Sequence, residues 1–196
     1  SVADHVDDAE EFFSARGRRL GVRRLENKLT WWDRILWFLG QRLVFGPLKE
    51  RLGLARCRVA ISGAAPIGVD LLTWFHGLGL PIMEAFGQTE CSGACHFNSP
   101  GKTKLGSVGT TLPGVECRLA GDGEVLVRGV NVFVGYLNNA KATSETVDPD
   151  GWLYTGDIGT IDDDGFLRIT GRKKEIIITS GGKNLSPEKI ENALKV

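Results

Sequence analysis

No stretch of this chain approaches the roughly 20 consecutive apolar residues a membrane-spanning helix requires, and no secretory-leader pattern is visible in the stretch present. Cysteine is scarce. Cys57, Cys91, Cys95 and Cys117 are too few and too irregularly spaced for a disulfide framework, so a reducing cytoplasm is the expected compartment. Charge bias is absent too: 24 Lys and Arg balance 24 Asp and Glu, which removes the electrostatic argument for a nucleic-acid partner or an acidic membrane. Cys91-Ser92-Gly93-Ala94-Cys95-His96 invites a zinc reading, but a structural zinc takes four convergent ligands and there is no second cluster. Pro100-Gly101-Lys102-Thr103 imitates the end of a phosphate-binding P-loop. The first glycine of that motif would fall at position 96, which is His96, so the motif is excluded. There is no initiator methionine, and Ser186-Pro187-Glu188 opens a helix, with a Ser cap and Pro in the first turn, that stops at Val196. The expectation is an internal piece of a longer protein.

What the chain does have is glycine, 26 of 196 residues, most of it in turns and loops. Residues 1–56 read as helical. Leu29, Trp32, Leu36, Leu39 and Leu43 recur at helical spacing, and Trp31, Ile35 and Phe38 widen the face. Gly46-Pro47 is expected to break this run before a short helix ended by Gly53. Such a stripe normally packs on a core; lying on a membrane surface as a peripheral contact is the alternative. Arg58 to Ile61 reads as a buried strand, followed by the small residues Ser62, Gly63, Ala64, Ala65 and Pro66 and a helix from about Gly68. That is an α/β unit with its loop where open α/β sheets bind ligands. Another strand leads into Met83-Glu84-Ala85-Phe86-Gly87-Gln88-Thr89-Glu90.

From Leu105 onward the pattern becomes β, with Val115–Leu119, Glu124–Arg128 and the stretch Val130–Tyr136 separated by glycine-rich turns. A short helix is expected from Asn139 to Thr146. Residues 151–184 (GWLYTGDIGTIDDDGFLRITGRKKEIIITSGGKN) then read as three short strands joined by turns. Asp-Gly between alternating apolar residues marks a hairpin at Asp162–Gly165. Asp157 precedes that hairpin and Arg172 follows it, so pairing would bring carboxylate and guanidinium together at one end of the ladder. A lone Asp and Arg would ordinarily be a surface ion pair. A carboxylate can, however, accept from two vicinal hydroxyls, and a guanidinium can fork onto hydroxyl or phosphate oxygens.

The GWLYTGD and DGFLRITGRKKEIIITSGGKN strings, with SGAAP and the aromatic-Gly-x-Thr-Glu motif at Phe86–Glu90, resemble the adenylate-forming, AMP-binding superfamily. The ending is most similar to its long-chain fatty acyl-CoA synthetases. The resemblance implies an α/β fold: an α/β segment with its helical lead-in (1–104), a small β-barrel-like subdomain (105–171), then a hinge and the start of a C-terminal α+β domain (172–196). It implies ATP or AMP, Mg²⁺ and CoA as ligands and a fatty acid as substrate. It says nothing of oligomeric state. Ser62, Gly63, Ala64, Ala65 and Pro66 would line the adenine pocket, with Glu84, Ala85, Phe86, Gly87 and Gln88 alongside. Phe86 would stack on adenine, Thr89 would donate to the α-phosphate, and Glu90 would offer Mg²⁺ a hard oxygen. Asp157 would hold both ribose hydroxyls, Arg172 would contact the nucleotide, and Lys174 would mark the hinge. The cysteines near Glu90 would be free thiols beside that site. Family elements not found are a Ser/Thr/Gly-rich phosphate loop ending in Pro-Lys and a late adenylation lysine. The resemblance therefore implies part of an acid–thiol ligase, with adenine, ribose and hinge elements but no turnover of its own. The alternatives are a non-catalytic AMP-binding module, or an acyl-AMP or aryl-CoA ligase of the same superfamily. Phe86, Thr89, Glu90, Asp157 and Arg172 are expected to converge on one cleft.

Overall fold

The computed structural model describes residues 19–21, 23, 28–175, 177–178 and 184–185; the helix expected from Ser186 lies outside them. The chain divides into two compact units, Ser1–Ser62 with Ile67–Met83, and Gly63–Pro66 with Glu84–Val196.

The first unit is mainly helical. Helix α1, Trp31–Gly40, begins where Thr30 can cap it. The Thr30 hydroxyl accepts from the Asp33 N–H at 3.2 Å, and the Asp33 carboxylate accepts from the Thr30 N–H at 3.0 Å. These bonds hold the Asp33 carboxyl below its usual range, with the Arg23 guanidinium at 3.1 Å adding to the effect. The expected break at Gly46-Pro47 does not occur. A π-helical turn, Gln41–Phe45, carries the chain directly into α2, Gly46–Arg51. The Gly46 N–H bonds the Gln41 carbonyl five residues back, so Pro47 enters at the first turn of α2, where its missing N–H is tolerated. A Cβ on Gly46 would lie 2.7 Å from that same carbonyl oxygen, so glycine permits the wide turn.

The apolar stripe of α1 also departs from expectation, because no residue of this helix is buried. Trp31, Trp32 and Phe38 are exposed, while the half-buried positions are Asp33, Trp37 and Gly40. Among the described residues no helix is long and apolar enough to cross a membrane. Strand β1, Ala60–Ser62, is offset from the buried strand expected over Arg58–Ile61 and is not buried, with Val59 and Ile61 exposed, whereas helix α3, Val69–Gly77, follows at the expected place. His76 near the end of α3 hydrogen-bonds the Ile82 carbonyl through Nε2 at 3.1 Å, and burial lowers its pKa.

In the second unit, β2 (Ile82–Gln88) pairs with β3 (Gly93–Phe97), and β3 pairs with β4 (Thr110–Thr111), all antiparallel. A second antiparallel sheet has the order β5 (Val115–Leu119), β6 (Glu124–Gly129), β7 (Leu153–Ile161), β8 (Leu167–Arg172). Register shifts in the β6–β7 and β7–β8 ladders bend it. The two sheets share one core: Cys91 and Cys95 pack with Val125, Val127, Leu153 and Leu167. The first of the three strands expected in residues 151–184 is β7, nine residues long. Val130–Tyr136 is an irregular loop rather than a further strand. Helix α4, Ala140–Thr146, is capped by Asn139 as its sequence predicts. The Asp162–Gly165 turn forms as expected. Asp162 Oδ1 accepts from the Asp164 and Phe166 N–H groups, and Lys104 bridges Asp162 and Asp164. Beyond Arg172, β9 (Ile177–Ile178) pairs with β10 (Asn184–Leu185).

Candidate nucleotide site

The ladder end at Asp157 and Arg172 is the best-defined part of the site. β7 and β8 pair with these two residues directly in register, and Arg172 Nε lies 2.8 Å from Asp157 Oδ1. The Asp157 side chain is 6% exposed and that of Arg172 58%, so this is no ordinary surface pair. A buried carboxylate with an accessible guanidinium at its rim can take hydroxyl donors and a phosphate oxygen together. Thr155 braces the strand here. Its hydroxyl donates to the Val125 carbonyl at 2.7 Å and accepts from the Asp157 N–H at 3.1 Å.

The second part is built on β2 and the turn after it. Phe86 is half-buried and packs against the shared core, its ring centroid 6.0 Å from that of His96. The β2–β3 register shifts between Phe86 and Gly87. A Cβ on Gly87 would sit 1.7 Å from the Gly93 carbonyl oxygen, so no other residue fits this crossing. Gln88 leads into a 3₁₀ turn, Thr89–Cys91, that leaves Thr89 exposed and Glu90 half-buried. Loop residues Gly63, Ala64, Ala65 and Pro66 belong to the same unit. A Cβ on Gly63 would meet the Ala85 carbonyl oxygen at 3.3 Å, which places that loop beside β2. Ser62, the last residue of β1, falls in the other unit.

Residues 26–137 match the family described as AMP-binding enzyme. The chain belongs to that family. Long-chain-fatty-acid–CoA ligase FadD15 of Mycobacterium tuberculosis is 49% identical over 154 residues, covering 79% of this chain and 25% of that protein. Long-chain-fatty-acid–CoA ligase ACSBG2 of Xenopus laevis is 42% identical over 164 residues, covering 81% of this chain and 22% of that protein. Among solved structures, O-succinylbenzoate coenzyme A synthetase (MenE) from Bacillus subtilis, in complex with ATP and magnesium ion, superposes with a TM-score of 0.66 at 33% identity. That superposition covers 76% of this chain and 34% of that one. The chain spans about a quarter of the length of the curated relatives it matches.

Several contacts in this AMP-binding chain were not foreseen. Tyr136, in the loop before α4, donates its hydroxyl to Glu90 Oε1 at 2.7 Å, and the Phe133 N–H donates to the Glu90 carbonyl at 2.8 Å. Glu84, grouped with the binding residues by motif, is buried and accepts the Gly106 N–H at 3.0 Å; burial pushes its carboxyl up to about 7. Cys91 and Cys95 are free thiols and core residues with no exposed surface. The neighbouring Cys91 sulfur, toward which Cys95 holds its proton, and then burial drive the Cys95 thiol pKa upward. Just before Lys174, Lys173 pairs with Asp122 at 2.6 Å and with the buried Glu124 at 2.7 Å. Glu124 also takes the Gly156 N–H at 2.9 Å, so the end of β8 is tied to β6. Lys174 itself is exposed. GRKKE and DGE signal charge, but neither string alone says they meet.

Among the described residues no group of three or more His, Cys, Asp or Glu is placed to hold a metal ion. Mg²⁺ commonly takes one or two carboxylates and completes its shell with phosphate and water. Glu90 is the carboxylate beside Thr89 that fits this part.

Proposed function

We propose that the whole protein carrying this chain is an ATP-dependent long-chain fatty acid:CoA ligase, and that this chain supplies its adenine- and ribose-binding groups and its hinge. The observation that carries the reading is the buried Asp157 carboxylate in register with Arg172 at the ladder end. The named relatives point to the acyl substrate. In the first half-reaction the fatty acid carboxylate attacks the α-phosphorus of ATP and pyrophosphate leaves. In the second, the CoA thiol attacks the acyl carbon of the adenylate and AMP leaves. Asp157 holds the two ribose hydroxyls and Arg172 steadies the nucleotide at the rim. Phe86 and the Ser62–Pro66 loop bracket adenine, with Glu84 to Gln88 shaping that wall, and Thr89 donates to an α-phosphate oxygen. A bound Mg²⁺ neutralises phosphate charge, and Glu90 is the residue that would hold it. Residues 105–171 act as the β subdomain, and Lys174 is the pivot after it. The compartment proposed is the cytoplasm. The exposed face of α1 is assigned to packing against the rest of the whole protein, and vesicle co-sedimentation separates this from membrane contact.

The test is Asp157→Ala in the whole protein. Two hydroxyl donors lose a charged acceptor, so ATP binding should weaken by about 1.5–3 kcal/mol in calorimetry, with the melting profile retained. Unchanged affinity in a folded variant would remove the ribose role. Pyrophosphate release with ATP, Mg²⁺ and palmitate separates a fatty acid ligase from an aryl-CoA ligase, which would answer only to aromatic acids. A binding module would release none.

A further inference from the structure

The 3₁₀ turn that carries Glu90 is closed by its own bonds, among them the Ser92 N–H to the Thr89 carbonyl at 3.0 Å, and is also strapped from outside. Four hydrogen bonds join residues 90–92 to residues 131–136. Asn131 Nδ2 donates to the Cys91 carbonyl at 3.1 Å, the Ser92 hydroxyl donates to the Asn131 carbonyl at 2.8 Å, and the Phe133 N–H and Tyr136 hydroxyl both reach Glu90. Three of these use backbone carbonyls as acceptors and would locate the turn whatever side chain stood at position 90. The fourth is different, because it ends on the carboxylate. The Tyr136 ring is itself anchored. It meets Phe133 edge-on with centroids 4.9 Å apart, Phe133 packs on the shared core, and the Tyr136 N–H donates to Thr143 Oγ1 at 2.9 Å.

We propose that Tyr136 is a positioning residue, whose hydroxyl orients the Glu90 carboxylate toward a nucleotide-bound divalent cation. The proposal rests on the metal-holding role assigned to Glu90 above. A carboxylate offers about four lone-pair sites on two oxygens. Tyr136 takes one site on Oε1, which fixes the torsions of a long side chain while leaving acceptor capacity on Oε2. A glutamate otherwise loses rotamer freedom when it binds, and that cost is met in advance here. The donor is a neutral phenol, so it orients the carboxylate without cancelling its charge. Lys or Arg in the same place would compete with the cation.

The experiment is a double-mutant cycle in the whole protein with Tyr136→Phe and Glu90→Gln, titrating ATP with Mg²⁺ and again in EDTA. Tyr136→Phe keeps the ring against Phe133, so the melting temperature should stay close to the parent's. It should weaken Mg²⁺-supported ATP binding about ten-fold or more, as expected for one hydrogen bond to a charged group, and leave binding in EDTA unchanged. Adding it to Glu90→Gln should cost nothing further. Equal weakening with and without Mg²⁺ would make Tyr136 a structural residue and overturn the proposal, as would no change in either. If Glu90→Gln itself leaves the Mg²⁺ dependence intact, the role of Glu90 falls and this proposal with it. If Glu90→Gln abolishes that dependence while Tyr136→Phe is silent, only the Tyr136 proposal falls. Thr143→Val, which loosens the strap at the Tyr136 N–H but spares the hydroxyl, should give a smaller loss of the same Mg²⁺-dependent kind.

Discussion

Helix α1 and strand β6 are both rich in apolar residues, and they meet opposite fates. α1 carries Trp31, Trp32, Ile35, Leu36, Phe38 and Leu39 and buries none of them. β6 carries Val125, Leu126 and Val127, and all three are buried together with Glu124. The difference lies in the layers available. β6 has β5 and β7 as hydrogen-bonded neighbours and Cys91 and Cys95 packed into the same core. α1 has a good cap and a continuous backbone ladder, but among the described residues no second layer buries its apolar face. Local chemistry makes an element; a second layer makes it core.

Truncation should separate the two regions most sharply. Leu153 of β7 is fully buried, and Leu153→Ala should cost about 3 kcal/mol in urea unfolding through lost transfer energy and a cavity. Phe38→Ala, at 66% exposure, should cost less than about 0.5 kcal/mol. A Phe38 penalty as large as that at Leu153 would break the contrast and mean that the α1 face is covered in solution.

A second contrast sits inside the β unit. Glu84 and His96 are both buried, and burial moves the two in opposite senses. Glu84 is raised to about 7. The folded state therefore holds its proton more tightly, giving stability that is full below pH 4.5 and lost as pH rises through 7. His96 is pushed down to about 4, so its neutral form gives stability that is present above pH 6.5 and lost as pH falls through 4. Between pH 4.5 and 6.5 the two oppose each other. In Glu84→Gln, urea midpoints should fall steeply on acidification across this window; in His96→Gln they should rise. Parallel slopes in the two variants would rule out this pairing. A smaller effect than that at Leu153 is expected at Thr30→Ala, which removes the α1 cap and should cost about 1 kcal/mol, read as lost helical ellipticity.

Much of the site was legible because its signals are local. An Asp-Gly hairpin of known length sets how β7 and β8 face each other, so Asp157 and Arg172 could be brought together from spacing alone. Even there the register shift between Ile158 and Gly159 was invisible, since a bulge leaves no composition signal in a strand already rich in glycine. The α4 cap at Asn139 and the loop after β1 were readable for the same reason. Gly46-Pro47 misled because a π turn makes room for a proline that an α turn would not.

The sequence by itself determined most of the strands, the hairpin and the family motifs, all of which depend on residues within a few positions of one another. Only the tertiary structure decided that Tyr136 reaches Glu90 across 46 positions, and that Glu84 turns to Gly106. It likewise put Lys173 on Glu124, buried Cys91 and Cys95 in the core, and left the α1 stripe outside. Such contacts form between segments far apart in the chain, where side-chain type sets what can bond or pack but only the folded backbone sets what is near enough to do so.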